Sequence, residues 1–166
     1  SRRCRSVLML GTSPDVRGGI STVVRGYDEG GLFQRFDVHY IVTHVDGGAL
    51  AKAAVAVRAY LRALGALCTL DAPLVHIHLA SRASFWRKSV LCGLAILFRR
   101  PYVLQVHGGE FSKFYEQECG AFAKRLVRGV LERADRVIAL ADLWRVALAR
   151  ITPRARIRVL YNAVPI

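Results

Sequence analysis

Three short stretches hold the residues best suited to chemistry. The first is Gln105-Val106-His107-Gly108-Gly109-Glu110-Phe111. An unperturbed imidazole donates and accepts protons near neutral pH, and two glycines beside it clear space for a substrate. His107 is therefore the leading catalytic candidate, against the plainer alternative of a structural histidine. The second stretch is Gly11-Thr12-Ser13-Pro14-Asp15-Val16-Arg17-Gly18-Gly19-Ile20-Ser21-Thr22. Its paired glycines let backbone approach a ligand closely, and the free N–H groups of a helix starting there favour an anion such as phosphate. It matches neither GxGxxG nor a Walker loop, and the plainer alternative is a glycine-rich turn. The third is Val75-His76-Ile77-His78-Leu79. On a strand, alternation points His76 and His78 to the same side. Two histidines so spaced can bind a metal, but no third ligand is evident and no metal is expected. His76 reads as a buried residue hydrogen-bonded under a helix, whereas His78, nearer the end of the run, has the better claim on a ligand.

Such residues need elements to position them, and the hydrophobic pattern supplies these. Short β-rich runs are predicted at about Ser6–Leu10, Val38–Thr43, Leu74–Leu79, Tyr102–Val106, Arg136–Leu140 and Ile157–Tyr161. Segments of helical period fall between them at about Ile20–Gly30, Leu50–Leu70, Ser84–Phe98, Phe114–Arg133 and Leu143–Ile151. This alternation is the mark of βαβ units, and several strands are apolar throughout, as when helices cover both faces of a sheet. The expectation is one α/β domain over residues 1–166: a Rossmann-like, doubly wound, mostly parallel sheet. Pro101 and Pro153 fall where a strand begins and a helix has ended, and Asp142 stands where an N-cap is wanted. In such a sheet ligands gather beyond the carboxyl ends of the strands, where all three stretches lie.

Composition narrows the class. The chain is 53% hydrophobic and 22% charged, without repeats or low-complexity tracts, which excludes a disordered protein. Cys4, Cys68, Cys92 and Cys119 are far apart with no zinc spacing, and read as reduced core thiols of a cytosolic protein. The apolar run Ser89–Phe98 is too short to span a bilayer, and Ala49–Leu70 carries Lys52, Arg58 and Arg62 inside it. The apolar run Val7–Leu10 after Arg2, Arg3 and Arg5 is too short for a signal peptide. A net charge of +13 with a pI near 10.5 calls for an anionic partner: nucleic acid, an anionic membrane face, or a phosphate-bearing small molecule.

Taken in order, several segments resemble the N-terminal domain of glycosyltransferase family 4, retaining enzymes of the two-domain GT-B class. They are Arg17-Gly18-Gly19-Ile20, Leu74-Val75-His76-Ile77-His78, His107-Gly108-Gly109-Glu110-Phe111, Ala134-Asp135-Arg136-Val137-Ile138-Ala139-Leu140 and Val159-Leu160-Tyr161-Asn162-Ala163-Val164. The resemblance spans nearly the whole chain, with one departure: the closing motif has Ala163 where the family usually has glycine. It implies an acceptor-side domain, a C-terminal nucleotide-sugar domain absent from this chain, and a fragment inactive alone. The implied reaction is sugar transfer with retention from a nucleotide sugar to a glycan or lipid-linked acceptor, without metal or other cofactor. His107 would face the transferred sugar. Gly18, Gly19, Ser21, His78, Gly108, Glu110 and Asn162 are the implied donor- or acceptor-binding positions.

The basic residues Arg82, Arg87, Lys88, Arg99 and Arg100 bracket one predicted helix, and Lys124, Arg125, Arg128 and Arg133 line the next. Such a face, with Phe85 and Trp86 at its edge, fits a cytoplasmic protein resting on the anionic inner face of a membrane. Two rivals share parts of this reading: a GT-B nucleotide-sugar epimerase, and a non-enzymatic basic module that docks on membrane or nucleic acid. The cations are dispersed and no common nucleic-acid motif is present, so nucleic acid is not the expected partner.

Overall fold

Val7-Leu8-Met9-Leu10 carry no polar side chain on either face and Val75–Leu79 only two histidines on one, so the strands they form belong at the centre, with cover on both sides. In the computed structural model, which describes residues 6–162, this is their place. Six strands, β1 (Ser6–Thr12), β2 (Asp37–His44), β3 (Leu74–Leu79), β4 (Tyr102–Val106), β5 (Arg136–Ala139) and β6 (Ile157–Val159), form one sheet in the order β2-β1-β3-β4-β5-β6. Every pairing is parallel.

The helices are α1 (Gly19–Glu29), α2 (Leu32–Arg35), α3 (Ala49–Thr69), α4 (Ala83–Leu97), α5 (Phe111–Lys113), α6 (Ala121–Arg133) and α7 (Asp142–Ile151). Because parallel crossovers are right-handed, the strand order decides their faces. The chain moves from β1 outward to β2, then returns past β1 and continues in the opposite direction through β6. One core accordingly gathers Leu8, Leu10, Val75, Ile77, Leu104 and Val137 of the sheet with Ala59 and Leu67 of α3, Leu91 of α4, Val127 and Leu131 of α6, and Leu148 of α7. The opposite face meets α1, whose Val23 and Val24 are buried and whose Tyr27 packs on His76 and His78. The direction of winding reverses between β1 and β3, and there the crevice opens.

The doubly wound sheet and the principal helices follow the hydrophobic pattern. The single helix expected over 114–133 does not form. A short α5 runs into a π-helical turn at Phe114–Glu118, then Cys119 and Gly120 turn extended, and Gly120 caps α6. Phe111 and Phe114 pin the first piece into the core against Phe85, and satisfying both contacts outweighs helical continuity. The two-turn link after α1 also holds α2, which the pattern did not predict.

Asp142 is the first residue of α7 rather than its cap. Ala141 holds the cap position, and the Asp142 carboxylate accepts from Arg145 Nε and the Tyr161 hydroxyl. Cys92 and Cys119 are core thiols as expected, burial pushing the Cys92 thiol up to about 12, but Cys68 is exposed. Cys4 and the closing Ala163-Val164 lie outside the described residues. Among the described residues no helix is long and apolar enough to cross a membrane.

Candidate functional site

At the winding reversal, β1 ends on Gly11 and Thr12. A Cβ at Gly11 would collide with the Tyr40 hydroxyl, which donates to the Thr12 carbonyl at 2.6 Å. Glycine is required here because a neighbouring side chain occupies the space. The loop that follows is tied down at both ends: the Ser13 N–H donates to the His44 carbonyl at 3.0 Å, and Ser21 Oγ is shared between the carbonyls of Val16 and Gly18. Ser21 is 1% exposed, so its hydroxyl shapes the loop. Gly18 and Gly19 are both exposed at the mouth of α1. The first N–H groups of a helix lack intrahelical partners. Here no side chain caps them and no acid stands in the first turn, which leaves a positive dipole end facing the crevice.

β4 delivers His107 to the same crevice, with Gly108 next to it at φ +96°, a left-handed conformation that disfavours a side chain. Behind His107 runs a ladder of polar groups on the α1 face of the sheet. His78 Nδ1 and His107 Nε2 are 3.0 Å apart. His76 stacks on His78 at 4.5 Å between ring centroids, and its Nε2 meets Gln105 Oε1 at 3.0 Å, the same oxygen that accepts from the Tyr27 hydroxyl at 2.9 Å. An amide oxygen only accepts, so His76 carries its proton on Nε2.

Burial pushes the pKa of His76 down to about 4 and that of His107 down to about 3, the latter helped by the charges of Lys88 and His76. Burial also holds His78 well below its ordinary range. All three rings are neutral at pH 7, and of His78 and His107 one donates to the other. His107 is 5% exposed and His78 fully buried. His78, expected to have a claim on a ligand, lies outside the open surface and reaches only the back of His107, whose ring is a neutral imidazole at pH 7. The Nδ1 of His107 is buried without a partner.

One cleft of about 590 Å³ brings these parts together: the Gly18-Gly19 loop, Ser21, His107, Gly108 and Asn162 all line it. Glu110 does not. It is exposed and paired, with Glu118, to Arg82, whose own backbone sits at a left-handed φ of 56°. The cleft also holds His44, Ser84, Arg87 and Trp144, none of them a site candidate from sequence. His44 ends β2 and is the register partner of Thr12, so extending that strand by one residue would have found it. Arg87 turns inward from the outer basic face that the sequence predicts; its Nε is buried without a partner, and its helix N-terminus points at the site.

Lys88, expected on that same face, is 0% exposed. Among the described residues its Nζ hydrogen-bonds Ser84 Oγ alone, at 3.3 Å, and burial, with the Arg87 charge, pushes its pKa down to about 7. Arg17 and Arg87 against the single carboxylate of Asp46 leave the cleft walls net positive. A larger trough of about 820 Å³ lies along α6, lined by Tyr115, Phe122, Arg125 and Arg128. It is a groove beside one helix, lined also by Lys124 and Glu132, and none of the strand-end residues enters it. Among the described residues no three His, Cys, Asp or Glu side chains group as metal ligands.

The arrangement can hold an anion against backbone N–H groups and guanidinium, beside a neutral hydrogen-bonding imidazole and open backbone. No curated protein matches the chain. The sequence profile of Glycosyltransferase Family 4 matches residues 17–166, which spans the Gly18-Gly19 loop, the His107 turn and every strand after the first. The chain belongs to glycosyltransferase family 4.

Proposed function

We propose that the chain is the acceptor-side domain of a retaining glycosyltransferase, which moves a sugar from a nucleotide sugar to a glycan or lipid-linked acceptor on the cytoplasmic side. The observation behind this reading is the convergence, in one cleft, of the uncapped α1 N-terminus, Arg17 and Arg87, and the His107-Gly108 turn. The donor diphosphate has a matching surface in the helix N–H groups and the guanidinium ions. Gly108 and the edge of the His107 ring line the cleft and form the wall against which the transferred sugar would sit. No metal or organic cofactor enters this reading.

Stabilising a leaving diphosphate demands donors on every side and exclusion of water. One open cleft in one domain supplies half of that enclosure. A second α/β domain, carrying the remaining nucleotide contacts, closes the site, and the 166-residue chain by itself is inactive.

The test is transfer by the protein joined to that second domain, assayed with a panel of nucleotide sugars and lipid-linked or glycan acceptors. The expected product keeps the anomeric configuration of the donor in its NMR coupling constants. An inverted product, or release of an epimerised free nucleotide sugar without use of acceptor, overturns the reading.

A further inference from the structure

α3 and α4 lie side by side on the outer face of the main core, joined where the Tyr60 hydroxyl donates to the Arg87 carbonyl at 3.1 Å. Their inner stripes are buried, as an amphipathic helix requires. Their outer stripes are apolar as well. On α3, Leu50, Val57, Leu61 and Leu64 are 88%, 56%, 65% and 39% exposed; on α4, Trp86, Val90, Ile96 and Leu97 are 37%, 50%, 40% and 74% exposed. Scattered exposed leucines need no explanation, but two adjacent helices with contiguous apolar outer stripes do.

Charge identifies the occupant. Neither helix contains an aspartate or a glutamate, while Lys52, Arg58 and Arg62 are exposed on α3 and Arg99 is exposed just after α4. A second copy of a chain with net charge +13 would bring like charges together across the contact. A bilayer with anionic headgroups meets both features at once, taking the apolar stripe at the level of the acyl boundary and the cations among its phosphates.

We infer that the joined outer face of α3 and α4 is a membrane-docking surface for anionic lipid. This differs from the basic face on α4 and α6 expected from sequence, because Lys88 and Phe85 of that face are fully buried. The N-termini of α3 and α4 follow β2 and β3 at their carboxyl ends, so the docked face runs down from the rim of the cleft. A lipid-linked acceptor would then meet the cleft from its own membrane. The inference rests on exposure and charge alone, independent of the sugar-transfer reading.

Its test is flotation of the purified chain with phosphatidylcholine vesicles, with and without phosphatidylglycerol, alongside sedimentation velocity without lipid. The expected result is a monomer that floats only with the anionic vesicles. Leu61→Ser with Leu97→Ser, both at exposed positions that leave the core intact, abolishes flotation. Arg58→Glu with Arg62→Glu lowers partitioning by at least about five-fold for each cation removed. Arg154→Glu with Arg156→Glu, an equal charge change on the exposed loop before β6, has a much smaller effect. No flotation, equal flotation on both vesicle types, equal loss from the two arginine pairs, or self-association abolished by the serine pair each overturns the inference. Vesicle binding by this chain, with no sugar transfer even when it is joined to its second domain, would sink the transfer reading and leave this one standing.

Discussion

Replacing Lys88 by methionine should make the protein more stable, by an amount that depends on pH in a defined way. Lys88 is fully buried, and its ammonium has one weak partner, Ser84 Oγ at 3.3 Å. A pKa lowered from 10.5 to about 7 corresponds to about 5 kcal/mol of disfavour for the charged form, at about 1.4 kcal/mol for each factor of ten. Between pH 7 and 10.5 the unfolded chain holds this proton and the folded chain has released it. Folding then releases a proton, so stability rises with pH through that window. Below pH 7 the full penalty is present, and above 10.5 it is gone.

Methionine keeps the length of the side chain without a charge, and other titrating groups cancel in the comparison. Urea denaturation of both proteins at several pH values measures the difference. The variant should be more stable by roughly 4 kcal/mol at pH 7, with the advantage shrinking by about 1.4 kcal/mol per pH unit towards zero near pH 10.5. The slope is the decisive observation. A difference that does not change with pH, or a variant less stable than the parent at pH 7, would refute the view of Lys88 as an unmatched buried cation. A cation behind the cleft floor should also help to hold an anion, so the same substitution should weaken binding of inorganic pyrophosphate measured by calorimetry.

Gly11→Ala should destabilise the fold by about 1–3 kcal/mol through overpacking against the Tyr40 ring, and adding Tyr40→Phe should recover part of that loss in chemical denaturation. His107→Leu leaves His78 Nδ1 buried without a partner and should cost about 1–3 kcal/mol, whereas the double variant with His78→Leu should cost less than the sum of the singles; strict additivity would show that the two rings are not hydrogen-bonded. Arg87→Gln should weaken pyrophosphate binding by about ten-fold or more, since hydrogen bonds to charged groups contribute about 1.5–3 kcal/mol, and unchanged affinity by calorimetry would remove Arg87 from the anion site.

Most of the architecture was legible along the chain, because period and punctuation are local. The apolar runs at 74–79 and 102–106 match β3 and β4 residue for residue, and Pro153 follows α7 where a helix must already have ended. The strand-end logic likewise carried the Gly18-Gly19 loop, His107 and Gly108 to one cleft, since in a parallel sheet every strand delivers its carboxyl end to the same rim, and Asn162, which the family resemblance implied, lines it too. What local pattern could not contain was depth and partnership. Arg87, Lys88 and Glu110 are all charged residues near strand ends, yet one lines the cleft, one lies beneath it and one is held aside by Arg82. Their fates depend on which helix face turns inward and which neighbours crowd the ring or chain, contacts between residues tens of positions apart. The neutrality of the histidine ladder is of the same kind: His76, His78 and His107 have ordinary side chains in the sequence, and burial strips their charge, with Lys88 adding to it at His78 and His107.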